Sequence, residues 1–176
     1  EIPLRLVGSE MCIRDRYLLL IINPTIIFTA YCIATHNITI GLIEVFSFLL
    51  IRKYCGGYHC QSSTACLIFS VIILIVMAWL SSFIKPSLYM FIALVIADVE
   101  LIIKGPVISV NHSVSDSEKK YYHRCLVGIL AVFNIIIIAA TVLHLYRTAS
   151  CISIVIIFCF VSHIACMTEK NRKLYY

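Results

Sequence analysis

Six apolar stretches separated by short polar breaks run along the chain, over residues 17–34, 38–51, 65–84, 87–103, 125–145 and 149–167. A helix needs about 20 apolar residues to cross hydrocarbon, and five of the stretches approach that length. The second has fourteen residues and is short for a straight crossing, so it is expected to tilt, re-enter or lie in the interface. The pattern predicts an all-α polytopic integral membrane protein with five or six apolar helices. Pro24 falls inside the first stretch and is expected to kink it, because proline removes one helical hydrogen bond.

The first sixteen residues do not fit this pattern. They hold six charges and no apolar period. LVGSEMCIRDR, residues 6–16, resembles the translation of a transposon-end adapter used in preparing sequencing libraries. Residues 1–16 are therefore read as a non-native leader and left out of the fold, and residues 17–176 as one membrane-embedded domain.

Composition agrees with the pattern. Apolar residues make up 61% of the chain and charged residues 13%, against roughly a quarter charged in soluble proteins. Where the cations fall predicts an orientation. Arg52, Lys53, Lys104, Lys119, Lys120, Arg124, Lys170, Arg172 and Lys173 share one face if the spans alternate, and the other face keeps Lys85 and Arg147. By the positive-inside rule the cation-rich face is cytoplasmic. Thiols stay reduced there, so the scattered cysteines are read as small apolar packing residues rather than a disulfide framework.

The candidate chemistry is concentrated in RKYCGGYHCQSSTAC, residues 52–66, just before the third apolar stretch. Zinc-helix, serine-elbow and phosphate-loop signatures are absent. His59 and Cys66 remain as base and nucleophile, since an imidazole can take the thiol proton and supply the more reactive thiolate. On one straight helix their seven-residue separation would hold them about 10.5 Å apart along the axis. Gly56 and Gly57, with Ser62 and Ser63, are the places for the chain to turn. His59 is therefore expected in a loop or reversed turn. Cys66 is expected near the start of the next helix, whose positive dipole end favours a sulfur anion. Cys55, His59, Cys60 and Cys66 could instead bind a soft metal, although their order does not reproduce the paired knuckle spacing. A plain positive-inside anchor containing a few thiols is the bland alternative.

Arg52, Gly57, His59 and Cys66, in that order and leading into a long apolar helix, resemble the signature of the accessory gene regulator protein B (AgrB) family, membrane cysteine endopeptidases of Gram-positive bacteria that process quorum-sensing peptide precursors. Ala97-Asp98-Val99-Glu100 with Lys104-Gly105-Pro106 resembles the end of that family's middle span, and Lys119-Lys120-Tyr121-Tyr122 its following basic patch. The family's longer amphipathic N-terminal region is missing here, and the linker 108–118 is less basic than usual.

The resemblance implies that Cys66 attacks a carbonyl of an AgrD-like autoinducing peptide precursor and releases its C-terminal tail. His59 would serve as acid and base, and a thiol or hydroxyl of the precursor would then close a thiolactone or lactone ring. Arg52, Lys53, Lys119 and Lys120 are candidates for holding the precursor's acidic tail, and Lys119, Lys120 and Arg124 also for lipid headgroups. The implied setting is the bacterial cell membrane, multi-pass, with the site on the cytoplasmic side. A homodimer is compatible with the family; no cofactor, metal or nucleic acid is expected. Asp98, Glu100 and Glu44 are intramembrane carboxylates and so draw functional suspicion. They support two rival readings of the chain, a small transporter or channel using Asp98 and Glu100, or, through the cysteines, a thiol redox or metal-binding membrane protein. Pairing of Glu100 or Asp98 with Lys104 would make these charges inexpensive. Glu44 is a rival for orienting His59, and His36, His144 and His163 are read as polar packing groups.

Overall fold

The computed structural model describes residues 22–55, 63–105 and 116–174. They form six helices, with no strand among the described residues. These are α1 (Ile22–Ala34), α2 (Ile38–Cys55), α3 (Ser63–Phe83), α4 (Leu88–Lys104), α5 (Asp116–Val142) and α6 (Tyr146–Leu174). The all-α membrane architecture expected from the apolar pattern is the one observed. The expected count of five or six apolar helices is matched in part: among the described residues three helices are long and apolar enough to cross a membrane, over Thr64–Phe83, Ser117–Val142 and Tyr146–Thr168. The described part of α1 is short, α4 has 17 residues, and the 18 residues of α2 include Glu44, Arg52 and Lys53. Pro24 is the third residue of the described part of α1, and the turn before it, where its expected kink would fall, lies outside the described residues.

The helices alternate in direction. At one end the α1–α2 turn, the end of α3 and the start of α6 meet, because Arg147 donates from Nη2 to Asn37 Oδ1 at 3.0 Å and to Ser82 Oγ at 3.1 Å. At the other end the Tyr54 and Tyr122 rings lie 5.9 Å apart, joining the end of α2 to the start of α5. His163 Nε2 donates to the Gly105 carbonyl at 3.0 Å, joining α6 to the end of α4. The second end carries Arg52, Lys53, Lys104, Lys119, Lys120 and Arg124 and is the basic end.

Helix α6 is the axis. It packs against α2, α3, α4 and α5, and Ala149, Ser150, Cys151, Ile152, Ser153, Val155 and Ile156 are all buried. Seven buried positions among eight consecutive residues cover every side of a helix, as expected of one with protein all round. Its neighbours bury one stripe each. On α5 the stripe is Leu126, Leu130, Phe133, Ile137 and Ala140, and on α4 it is Met90, Leu94, Ala97 and Leu101. The alternating steps of four and three keep each stripe on one side of its helix. The outward sides are also apolar, with Trp79, Ile92, Ile135 and Ile138 exposed. Such wide apolar exposure fits lipid as the surrounding solvent.

The turns explain themselves locally. Ser87 caps α4, its hydroxyl accepting from the Met90 N–H at 3.4 Å. Gly105 ends α4 with φ 66°, and its N–H donates to Leu101 O. The α1–α2 and α5–α6 turns share another device. Asn37 N–H donates to Cys32 O and His36 N–H to Ile33 O; Leu145 N–H donates to Ala140 O and His144 N–H to Thr141 O. Both are Schellman closures, and in both the left-handed position that usually takes glycine holds a histidine, with φ 54° at His36 and 58° at His144. These two histidines, read from sequence as packing groups, are exposed helix terminators.

Candidate functional site

Cys66 is the fourth residue of α3, at the basic end and half-buried. Its carbonyl accepts the Ser70 hydroxyl at 2.8 Å. The expectation that this cysteine stands in the first turn of the helix following the glycines is met in position. His59, Gly56, Gly57 and Cys60 lie outside the described residues, so the expected turn and the His59–Cys66 approach do too. The half of α3 nearest the basic end is loosely covered. Buried residues on this helix begin at Ile73, with Leu74, Met77 and Ser81 following, whereas Ile68, Phe69 and Ile72 are exposed. Cys66 therefore stands on the stretch of α3 nearest the basic end and least enclosed by the bundle.

Two basic segments flank that end. Arg52 stacks over the Phe48 ring at 5.4 Å and Lys53 over the Tyr54 ring at 5.2 Å, contacts that hold cations beside aromatic faces. The Tyr54–Tyr122 contact brings them to the same end as Lys119 and Lys120, which are exposed on the first turns of α5. The sequence placed these cations on one face by charge alone; the aromatic contact shows that the two segments adjoin.

The carboxylates have found separate partners. Glu100 pairs with Lys104 at 2.7 Å, as anticipated. Asp98 instead accepts from Asn134 Nδ2 at 2.8 Å, across α4 and α5, and Asn134 also donates to Leu130 O. Glu44 is wholly buried and accepts from the Cys151 thiol at 3.9 Å on α6. It stands eleven residues before Cys55, about 16 Å from the basic end of α2, and so not at the level of Cys66. The described partners of Asp98 and Glu44 are thus Asn134 and Cys151.

His163, read from sequence as a polar packing group, is one in the structure. It is 1% exposed, and its hydrogen bond to Gly105 O pins the end of α4, beside which His123 also packs. Gly105 was the available signal: a glycine closing an apolar stretch predicts a helix end with a carbonyl to satisfy. The seven described cysteines are free thiols, and no group of three or more metal-binding side chains occurs among the described residues.

A protein-family model described as accessory gene regulator B matches residues 16–164. No curated protein and no solved structure matches the chain.

Proposed function

Since the chain belongs to the accessory gene regulator B family of quorum-sensing proteins, we propose that it is a membrane cysteine endopeptidase that trims and cyclises an autoinducing peptide precursor. The observation carrying this reading is the placement of Cys66 in the first turn of α3, half-buried at the basic end. A nucleophilic sulfur there has the positive helix end beneath it and loosely packed apolar surface beside it.

The chemistry is two acyl transfers. His59 takes the Cys66 proton, and the thiolate adds to a precursor carbonyl carbon. The C–N bond breaks, and the amine leaves with the proton that His59 returns, giving a thioester on Cys66. A cysteine thiol or serine hydroxyl of the precursor, deprotonated by His59, then adds to the same carbon. The C–S bond to Cys66 breaks, and the ring closes as thiolactone or lactone. A site at the lipid edge supports this sequence by limiting water, which would otherwise hydrolyse the thioester, while the internal nucleophile is held close.

Arg52, Lys53, Lys119 and Lys120 would hold the precursor's acidic tail, their long stems reaching the headgroup level. In this reading the basic end is cytoplasmic, following the positive-inside rule, and the membrane is the bacterial cell membrane.

Co-expression with a candidate precursor, followed by mass, tests the assignment. Processing is lost in Cys66→Ala, Cys66→Ser and His59→Ala and retained, per amount of protein in the membrane, in Cys55→Ala and Cys60→Ala. Continued processing by Cys66→Ala would refute the mechanism.

A further inference from the structure

Glu44 is 0% exposed, whereas Asp98 and Glu100 keep part of their surface. Its Oε2 receives the Cys151 thiol at 3.9 Å, and sulfur is a weak donor. Its Oε1 is buried with no hydrogen-bond partner among the described residues.

The surrounding helices bring no cation to it. On α2 itself Arg52 and Lys53 follow eight and nine residues later, about 12 Å along the axis. Helices α3, α5 and α6 pack against α2, and α1 meets it at Gly41. On α6 the facing group is Cys151; Arg147, one turn earlier, is exposed and donates to Asn37 and Ser82. On α1 the titratable groups are Tyr31 and Cys32, the latter packed with Phe28 on Gly41, one turn before Glu44. Helix α3 has no charged residue, and α5 has none after Arg124. Cys66 on α3 and Cys125 on α5 stand toward the basic end. A buried carboxylate ion must replace its water with hydrogen bonds or a cation. Here one weak contact is all that replaces it, whereas the neutral acid forgoes at most one hydrogen bond.

We propose that Glu44 is a proton-binding site: it sits between α2 and α6 as the neutral acid, its proton on Oε1, and Oε2 remains the acceptor of the Cys151 thiol. The site is six residues from Ile38, about 9 Å from the end of the bundle opposite the basic one, so that end is the nearer exit for the proton. It is independent of the acyl-transfer chemistry proposed for Cys66. Loss of the proton leaves an unpaired anion in the interface and drives α2 from α6, and α2 is the helix that carries Arg52 and Lys53 to the basic end. In the unfolded chain a glutamate ionises at about pH 4.3. Above that pH the folded chain binds one proton more than the unfolded chain, so stability falls as pH rises.

Isotope-edited infrared spectroscopy of the full chain in lipid nanodiscs tests the site. Carbon-13 in the glutamate side-chain carboxyls separates their bands from those of aspartate, Asp98 included. At neutral pH the parent shows a protonated-carboxyl band carrying the isotope shift, a result that needs no variant to fold. Glu44→Gln, which keeps the shape and cannot ionise, lacks that band. In mixed micelles the Tm of Glu44→Gln rises relative to the parent's from about pH 5 upward. The proposal is overturned by the absence of an isotope-shifted protonated band in the parent, by its survival in Glu44→Gln, or by a Tm difference that does not change with pH.

Discussion

Leu130 and Ile135 lie on the same helix, five residues apart and on opposite sides of it. Leu130 is 1% exposed and belongs to the stripe that α5 turns inward, while Ile135 is 66% exposed. In soluble proteins a buried leucine cut to alanine loses about 2–5 kcal/mol, a sum of transfer and cavity contributions. Three carbons at about 0.8 kcal/mol each would account for roughly 2.4 kcal/mol of that as transfer from water. In a bilayer the separated helix already rests in hydrocarbon, so the transfer part disappears and only packing is lost. Leu130→Ala is therefore expected to cost about 1–2 kcal/mol, below the soluble range. Ile135→Ala exchanges one lipid contact for another and should stay within about 0.5 kcal/mol of the parent. Equilibrium unfolding in mixed micelles, titrated with a denaturing detergent and followed by circular dichroism, reads both. Equal losses for the two variants would mean that protein or water, not lipid, covers the Ile135 side, and the assignment of inner and outer faces would fail.

Three further outcomes are expected from the same assay. A side chain at Gly41 would run into Cys32 Sγ and meet Cys32 Cβ at 3.0 Å, so Gly41→Val should lose about 1–3 kcal/mol, partly recovered by adding Cys32→Ala. His36→Gly should gain about 1 kcal/mol by relieving a left-handed backbone conformation that glycine adopts freely. Asn134→Leu strips Asp98 Oδ2 of its donor where Oδ1 already lacks one, and should cost about 1–3 kcal/mol. Replacing Asp98 by Leu as well should cost less than Asn134→Leu alone.

The apolar stretches made the helices legible, because continuous hydrocarbon side chains have few other stable arrangements in lipid. Their faces were not legible. Core and lipid accept the same residues, so Ile72 at 52% exposure and Ile73 at 7% stand side by side with nothing in their chemistry to separate them. Boundaries failed where charge was taken to end a helix. Helix α5 begins at Asp116, nine residues before the apolar stretch, because glutamate, lysine and arginine are good helix formers wherever water is available. Helix α2 likewise runs on through Arg52 and Lys53 to Cys55. In the candidate site, the position of Cys66 followed from two glycines and a helix start. The partners of Asp98 and Glu44 did not, because Asn134 and Cys151 lie 36 and 107 residues away and only packing brings them together.

Helix α6 touches α2, α3, α4 and α5, yet it leaves the ribosome after all of them. During synthesis the earlier helices wait in the translocon's lipid surroundings with the inward stripes of α4 and α5 uncovered and Glu44 without Cys151. The tertiary fold can close only when α6 arrives, so a chain stopped before Tyr146 would present unassembled helices to membrane quality-control proteases rather than a smaller working bundle.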